Sequence, residues 1–187
     1  MNVFDFDGTI YDGDSSVDFW LFCLSRKPSL IRYFPCQLSG VFLYKVGKLS
    51  KETFKSRYFS FVEGISDIDS YVKEFWDKQQ NKIKKLYKVI QKEDDCIISA
   101  SPVFLLSDIC SRLGIKNLIA TEVDKKTGKL TGKNCHDKNK PDFYRERFAN
   151  IVIDEFYSDS KSDLPMAKLA NKAFLVKKNE IIEWSDL

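Results

Sequence analysis

Short apolar runs ending in turns rich in acidic and hydroxyl side chains recur along this chain, with helical patterns between them, and that alternation leaves few folds open. Val3-Phe4, Cys96-Ile97-Ile98, residues 117–120 and Ile151-Val152-Ile153 read as buried strands, with 173–176 as a fifth. Helical periodicity lies in 103–113, 144–149 and 164–170. A parallel neighbour can be reached only through a long connection, so strand and helix in alternation predict a parallel α/β sheet. Residues 121–133, centred on Lys126-Thr127-Gly128-Lys129, read instead as a β-hairpin.

The stretch from about residue 13 to 94 breaks the alternation. Helical spacing appears at Phe19, Phe22 and Cys23, again at Phe54, Tyr58, Phe61 and Val62, and then through a long amphipathic stretch, 68–90. This predicts a helical insertion between the first two strands, with Lys82, Lys84, Lys85 and Lys88 on the solvent face of its last helix. In 30–46, Leu30, Ile31, Phe34, Leu38, Val41 and Phe42 share one helical stripe, with Pro35 placed to kink or split it. One reading buries that stripe in the insertion; the other sets it against lipid or an apolar substrate tail. Arg32, Pro35 and Lys45 interrupt it too often for a membrane span.

Composition narrows the function classes. At 187 residues the chain suits one core with a modest insertion, and 43% hydrophobic with 30% charged residues fits a folded protein. The net charge of +3 is spread along the chain, which is weak evidence for nucleic acid or anionic lipid. Five widely spaced cysteines without a C-x-x-C pair indicate neither a disulfide framework nor a zinc site, so a cytoplasmic location is expected, with Cys23, Cys36, Cys96 and Cys110 as core fillers. Asp5 and Asp7 precede any apolar run, unlike the start of a secretory leader.

Three strand ends carry chemistry. Asp5-Phe6-Asp7-Gly8-Thr9 follows the first, where two carboxylates beside a glycine can converge on one pocket, hold a cation and divide nucleophile from acid/base duties. Ser99-Ala100-Ser101-Pro102 follows the second; Ser101 suits an N-cap and Pro102 a first helical position, which would leave free N–H groups near Ser99 for an anion. Tyr157-Ser158-Asp159-Ser160-Lys161-Ser162-Asp163 follows the strand at 151–153, with two acids four residues apart. Ligands of open α/β sheets bind beyond such strand ends. His136, the sole histidine, sits among Asn134, Asp137, Lys138 and Asn139 and reads as a solvated loop residue.

Together these motifs resemble the haloacid dehalogenase superfamily, in its phosphoserine-phosphatase-like branch: D-x-D-G-T at Asp5 to Thr9, the hydroxyl motif at Ser99, and the acidic motif from Asp159 to Asp163. The resemblance implies a Rossmann-like three-layer core with a parallel sheet (residues 1–12 and 95–187) and a helical cap (13–94) inserted after the first strand. It implies Mg²⁺ held by Asp5, Asp7, Asp159 and Asp163, with Asp163 also orienting its neighbours, and a phosphoryl group held by Gly8, Ser99, Ala100 and a lysine. Lys140 is the match for that lysine and Lys138 its rival. Asp14 and Arg57 correspond loosely to substrate-reading residues. The acidic motif departs from the family in reading Tyr-Ser-Asp-Ser where relatives carry a glycine before the aspartate.

The chemistry so implied is phosphomonoester hydrolysis through an aspartyl-phosphate on Asp5, with Asp7 protonating the leaving oxygen and later activating water. Asp7 also favours a phosphatase over a dehalogenase, since halide departure needs no acid. The expected substrate is a small cytoplasmic phosphorylated metabolite. Two alternatives stay open: a peripheral membrane phosphatase acting on a lipid phosphate such as phosphatidylglycerophosphate, touching the bilayer through 30–46, and a catalytically idle binding module.

Overall fold

The computed structural model describes residues 1–149 and 151–185. β1 (Asn2–Phe4), β2 (Cys96–Pro102), β3 (Asn117–Thr121), β4 (Ile153–Ser158), β5 (Ala170–Lys177) and β6 (Glu180–Glu183) form one sheet in the order β3-β2-β1-β4-β5-β6. The first five strands are parallel and β6 returns antiparallel along β5. Between β1 and β2 lie α1 (Ser15–Arg26), α2 (Phe34–Lys45), α3 (Lys51–Tyr58), α4 (Ile68–Gln79) and α5 (Lys85–Ile90); α6 (Val103–Arg112), α7 (Lys140–Phe148) and α8 (Leu164–Ala167) follow. This is the three-layer α/β arrangement expected from the motifs.

Alternating side chains build a core on each face of the sheet. Val3, Cys96, Ile98, Phe156 and Ala173 pack with Tyr144 of α7 and with Met166 and Ala167 of α8. On the other face Phe4, Ile97 and Tyr157 join Phe19 of α1, Phe75 and Trp76 of α4, and Leu105 and Ile109 of α6. That second cluster runs without a break from the sheet into the inserted helices. The Trp76 indole donates to the Leu105 carbonyl at 2.7 Å, so its buried N–H is satisfied while its rings fill the core.

Several local expectations are corrected. β4 begins only at Ile153 and runs through Asp154-Glu155-Phe156-Tyr157-Ser158, while Ile151 and Val152 stay exposed. Its central position overrides the polar start, because Glu155 accepts from the Asn2 amide at 3.1 Å and Asp154 pairs with the Met1 ammonium. α8 is a single turn, since β5 already starts at Ala170, and α7 begins at Lys140 rather than near residue 144. The hairpin reduces to one antiparallel bridge, Val123 with Leu130, closed by Asp124 accepting from the Thr127 N–H at 2.7 Å.

The stretch 68–90 is no single helix. α4 stops at Gln79, a 3₁₀ turn follows, and Ile83 bridges to Tyr11. Lys82 pairs with Asp18 at 2.9 Å and Lys84 is buried, so these two leave the expected solvent face. In 30–46 a 3₁₀ turn (Pro28–Tyr33) leads into α2, whose first turn holds Pro35; a missing N–H costs nothing there, and the proline starts the helix instead of kinking it. α2 buries only Gln37 and Gly40, the latter against Phe54 and Arg57 of α3, which leaves Phe34, Leu38 and Phe42 exposed. The buried reading of that stripe holds for Leu30 and fails for Ile31, Phe34, Leu38 and Phe42, with Val41 half-buried. Cys36 is likewise exposed, not a core filler, and all five cysteines are free.

Candidate functional site

The site forms where β1 and β4 part. Asp5 donates its N–H to the Tyr157 carbonyl at 2.9 Å, which seats it at the seam between these strands. From β1 the chain proceeds to β2 on one side, and β4 to β5 on the other, so the connections diverge and open a crevice at the strand ends. Gly8, at φ +71°, turns the backbone away, and Lys84 donates to its carbonyl. Thr9 Oγ1 accepts from the Asp159 N–H at 2.8 Å and stitches the first loop to the acidic loop.

A cavity of ≈ 670 Å³ occupies the crevice, lined among others by Asp5, Asp7, Gly8, Ala100, Lys140 and Asp159. Lys140 is 2% exposed and donates to Asp5 Oδ1 at 2.9 Å and Asp163 Oδ2 at 2.7 Å, whereas Lys138 is exposed. The tether comes from α7 beginning at Lys140, which directs this lysine inward. Asp163 Oδ2 also accepts from Ser158 Oγ at 2.9 Å, so this carboxylate is committed to holding Lys140 and the loop. Ser158 is fully buried, and its hydroxyl accepts from the Ser160 N–H at 3.1 Å and so organises the turn.

Asp7 faces the opposite wall. Its Oδ1 accepts from the Ser15 N–H at 2.7 Å and its Oδ2 from Ser101 Oγ at 2.6 Å. Ser101 is therefore not the expected N-cap. β2 continues to Pro102, α6 begins at Val103, and Ser101 Oγ is spent on Asp7 and on the hydroxyls of Ser15 and Ser16. Ser99, expected to hold the phosphoryl group, is 1% exposed and does not line the cavity as its neighbours Ala100 and Ser101 do; its Oγ accepts from the Ser101 N–H at 3.0 Å.

Burial dominates the electrostatics. It pushes the Asp5 carboxyl up to about 7, Lys140 pulling the other way and the Asp163 charge adding to the rise. Burial also raises Asp7, against the hydrogen bonds from Ser101 and Ser15, and raises Asp159. Lys140 loses some affinity for its proton through burial, but Asp5 and Asp163 outweigh that and hold it above the ordinary lysine range. Five carboxylates and two lysines, Lys140 and Lys55, line the cavity, so acids outnumber cations and a bound cation would relieve the imbalance.

The donors fit Mg²⁺. Asp5 and Asp159 offer hard carboxylate oxygens to one cavity, and a Cβ on Gly8 would lie 2.0 Å from Asp159 Oδ2, which places that acid directly over the first loop. Among the described residues no three His, Cys, Asp or Glu side chains gather into a metal cage, and Mg²⁺ characteristically takes one or two carboxylates and keeps waters. Gly8→Ala should therefore displace Asp159 and strain a left-handed backbone by about 1 kcal/mol. The expected result is weaker Mg²⁺ binding by titration calorimetry with little change in melting temperature.

The remaining candidates divide. Asp14 lines the cavity while its Oδ1 caps α1, accepting from the Val17 N–H at 3.0 Å. Arg57 does not reach the site; it donates to Ser39 Oγ at 3.0 Å and lines a separate cavity with Cys36 and Glu63. Two residues along α3, Lys55 faces the site instead, because positions i and i+2 point to different sides of a helix. Lys55 Nζ donates to the Ala100 carbonyl and to Asn134 Oδ1 at 2.8 Å, and burial lowers its pKa to about 8. His136 is half-buried against the cavity with Lys51 Nζ 2.9 Å from its Nδ1, rather than a solvated loop residue. The spacing of Lys51, Lys55 and Tyr58 along one face of α3 was the available signal for these contacts.

No curated protein matches the sequence. Among solved structures, a protein with unknown function from Bordetella pertussis Tohama I shares the fold at a TM-score of 0.74 and 19% identity, over 92% of this chain and 87% of that one. A phosphoserine phosphohydrolase-like protein from Francisella tularensis subsp. tularensis SCHU S4 superposes at 0.61 and 16% identity, over 96% and 88%. The HAD family hydrolase t0658 from Salmonella enterica subsp. enterica serovar Typhi does so at 0.63 and 15%, over 90% of this chain and 58% of its own. The family model of haloacid dehalogenase-like hydrolases matches residues 3–168, from β1 through α8, and the chain belongs to that family.

Proposed function

We propose that the chain is a Mg²⁺-dependent phosphomonoester phosphatase that works through an aspartyl-phosphate on Asp5. The observation that carries this reading is the division of labour between two carboxylates on one loop: Asp5 is bonded to the Lys140 ammonium at 2.9 Å, whereas Asp7 is bonded to hydroxyl and amide donors on the other wall. Asp5 attacks phosphorus and forms an acyl-phosphate bond as the ester oxygen leaves. Asp7, whose proton is held more tightly than usual because it is buried, protonates that oxygen. It then takes a proton from the water that cleaves the acyl-phosphate, which returns both acids to their starting state.

Lys140 and the backbone N–H groups of the Asp5 and Ser99 loops face the phosphoryl oxygens. Asp5, Asp159 and the Asp7 carbonyl would hold Mg²⁺, which when bound would supply the charge that lets a carboxylate approach a phosphate. A protonated Asp7 serves an ester leaving group and has no task in halide displacement, which favours phosphatase over dehalogenase chemistry.

Lys55 supports a coarse statement about substrate. Its ammonium spends two donors on Ala100 and Asn134 and keeps a third for a substrate oxygen. We read this as recognition of a phosphomonoester with a second anionic group. The test is phosphate release across esters with and without such a group, with and without Mg²⁺. Metal-dependent turnover is expected, and Lys55→Met should raise KM for the dianionic class by about tenfold or more, as loss of a charge-assisted hydrogen bond requires. Only the protonated lysine binds, so KM should climb in the wild type as pH passes about 8 and stay flat in Lys55→Met. Absence of metal-stimulated release from every ester contradicts the phosphatase reading; a fall in kcat with KM unchanged contradicts the role of Lys55.

A further inference from the structure

Phe34, Leu38 and Phe42 follow one another at four-residue intervals on α2 and are 47%, 57% and 65% exposed. Ile31 extends the row into the preceding turn, and Tyr44 and Val46 flank its end. Large apolar side chains gathered like this on one helix face mark a contact surface. The charges carried by this segment of the chain all have one sign. Between Asp18 and Glu52 the sequence has no acid, while Arg26, Lys27, Arg32, Lys45, Lys48 and Lys51 fall in that interval. Arg26 is paired with Glu74, Lys27 with the Gly64 carbonyl and Lys51 with His136, which leaves Arg32, Lys45 and Lys48 exposed beside the apolar row.

From this combination we propose that the outer face of α2 docks the protein on an anionic lipid surface. Apolar side chains enter the boundary between headgroups and acyl chains, and the basic residues beside them meet lipid phosphates. α2 has twelve residues, about 18 Å of helix, and among the described residues no helix is long and apolar enough to cross a membrane. The geometry is that of a helix lying on the interface.

A second copy of the chain is the competing occupant, and charge opposes it. Two such faces packed together would bring Arg32, Lys45 and Lys48 of both copies into one contact with no acid from the segment between them. The acids nearest along the neighbouring elements, Glu52 and Glu63, line the cavity beneath α2 with Cys36 and Arg57. Tyr44 stacks on Phe54 of α3 with ring centroids 5.1 Å apart, and Phe54 lines the catalytic cavity, so docking would bring the bilayer surface close to the site. The contact itself involves no residue of the phosphatase reading and stands or falls independently of it.

Flotation of the full chain with vesicles of phosphatidylcholine alone, or mixed with phosphatidylglycerol, tests the contact without turnover. The protein should float with the mixed vesicles and lose that binding as salt is raised. Phe34→Ser/Leu38→Ser/Phe42→Ser, at positions already in water, should lower the partition coefficient by at least about tenfold, and so should Lys45→Glu/Lys48→Glu. Circular dichroism and hydrolysis of a soluble ester should be unchanged in both variants. The proposal is overturned if the wild type fails to float, if either variant floats like the wild type, or if phosphatidylcholine alone binds as well as the mixture. A dimer in solution that the apolar variant dissolves, without vesicle binding, would assign the face to a second copy.

Discussion

Asp5→Asn is expected to lower kcat/KM for any phosphomonoester by at least about 10,000-fold, the scale on which removal of a covalent nucleophile acts, while the protein stays folded. The amide keeps the shape of the carboxylate and can still accept a hydrogen bond from Lys140, and Asp163 remains as that lysine's counter-charge at 2.7 Å. The wild-type carboxylate is itself costly in this place, since burial pushes its pKa up to about 7. Replacing it with a neutral group removes that cost. The melting temperature should hold or rise as activity disappears. Loss of activity together with loss of the fold would mean that Asp5 acts mainly as scaffolding.

Lys140→Met should have the largest effect on stability. The lysine is 2% exposed between Asp5 and Asp163, and Asp163 is equally buried. Without the ammonium, two carboxylates face one another with no cation, and breaking a buried ion pair on one side costs roughly 3–5 kcal/mol. For a chain of this length that corresponds to a fall of roughly 6–20 °C in melting temperature. The sign of the pH dependence follows from linkage. Asp5 already binds its proton more tightly than an ordinary aspartate and would bind it more tightly still without Lys140, so the variant's folded state takes up protons as pH falls. The deficit should be greatest in alkaline solution and shrink as pH falls toward about 7, below which both folded states hold the Asp5 proton and it levels off. Differential scanning calorimetry of both proteins across that range checks it; a deficit independent of pH would mean that Lys140 stabilises by packing alone.

Much of the fold was legible because strand and helix alternate in sequence as they do in space, and the motif residues were legible because Asp5 to Thr9 and Asp159 to Asp163 are contiguous. What escaped was decided by distant partners. Ser101 looks locally like a helix cap, yet it bonds to Asp7 across 94 residues of sequence. Lys84, which reads as solvent-facing, meets the Gly8 carbonyl across 76 residues, and Lys55, which no motif singles out, meets the Ala100 carbonyl across 45. The helical period of 30–46 gave the Phe34, Leu38 and Phe42 row on α2, while Leu30 falls in the preceding 3₁₀ turn and is buried; periodicity alone carries no information about which neighbour covers a stripe, and α3 packs on the Gln37, Gly40 and Tyr44 side. β4 was misplaced because Asp154 and Glu155 make its first half look like a turn, when their charges are taken up by Met1 and Asn2 at the strand's edge.

The central claim, a covalent phosphoryl group on Asp5, can be examined directly by quenching the enzyme in acid during Mg²⁺-supported turnover and mapping the peptides by mass spectrometry. The account predicts a hydroxylamine-sensitive phosphoryl adduct on Asp5, absent in Asp5→Asn and more abundant in Asp7→Asn, where the group that activates water is missing. An adduct on Ser99 or Ser101, or vigorous turnover by Asp5→Asn, would contradict it.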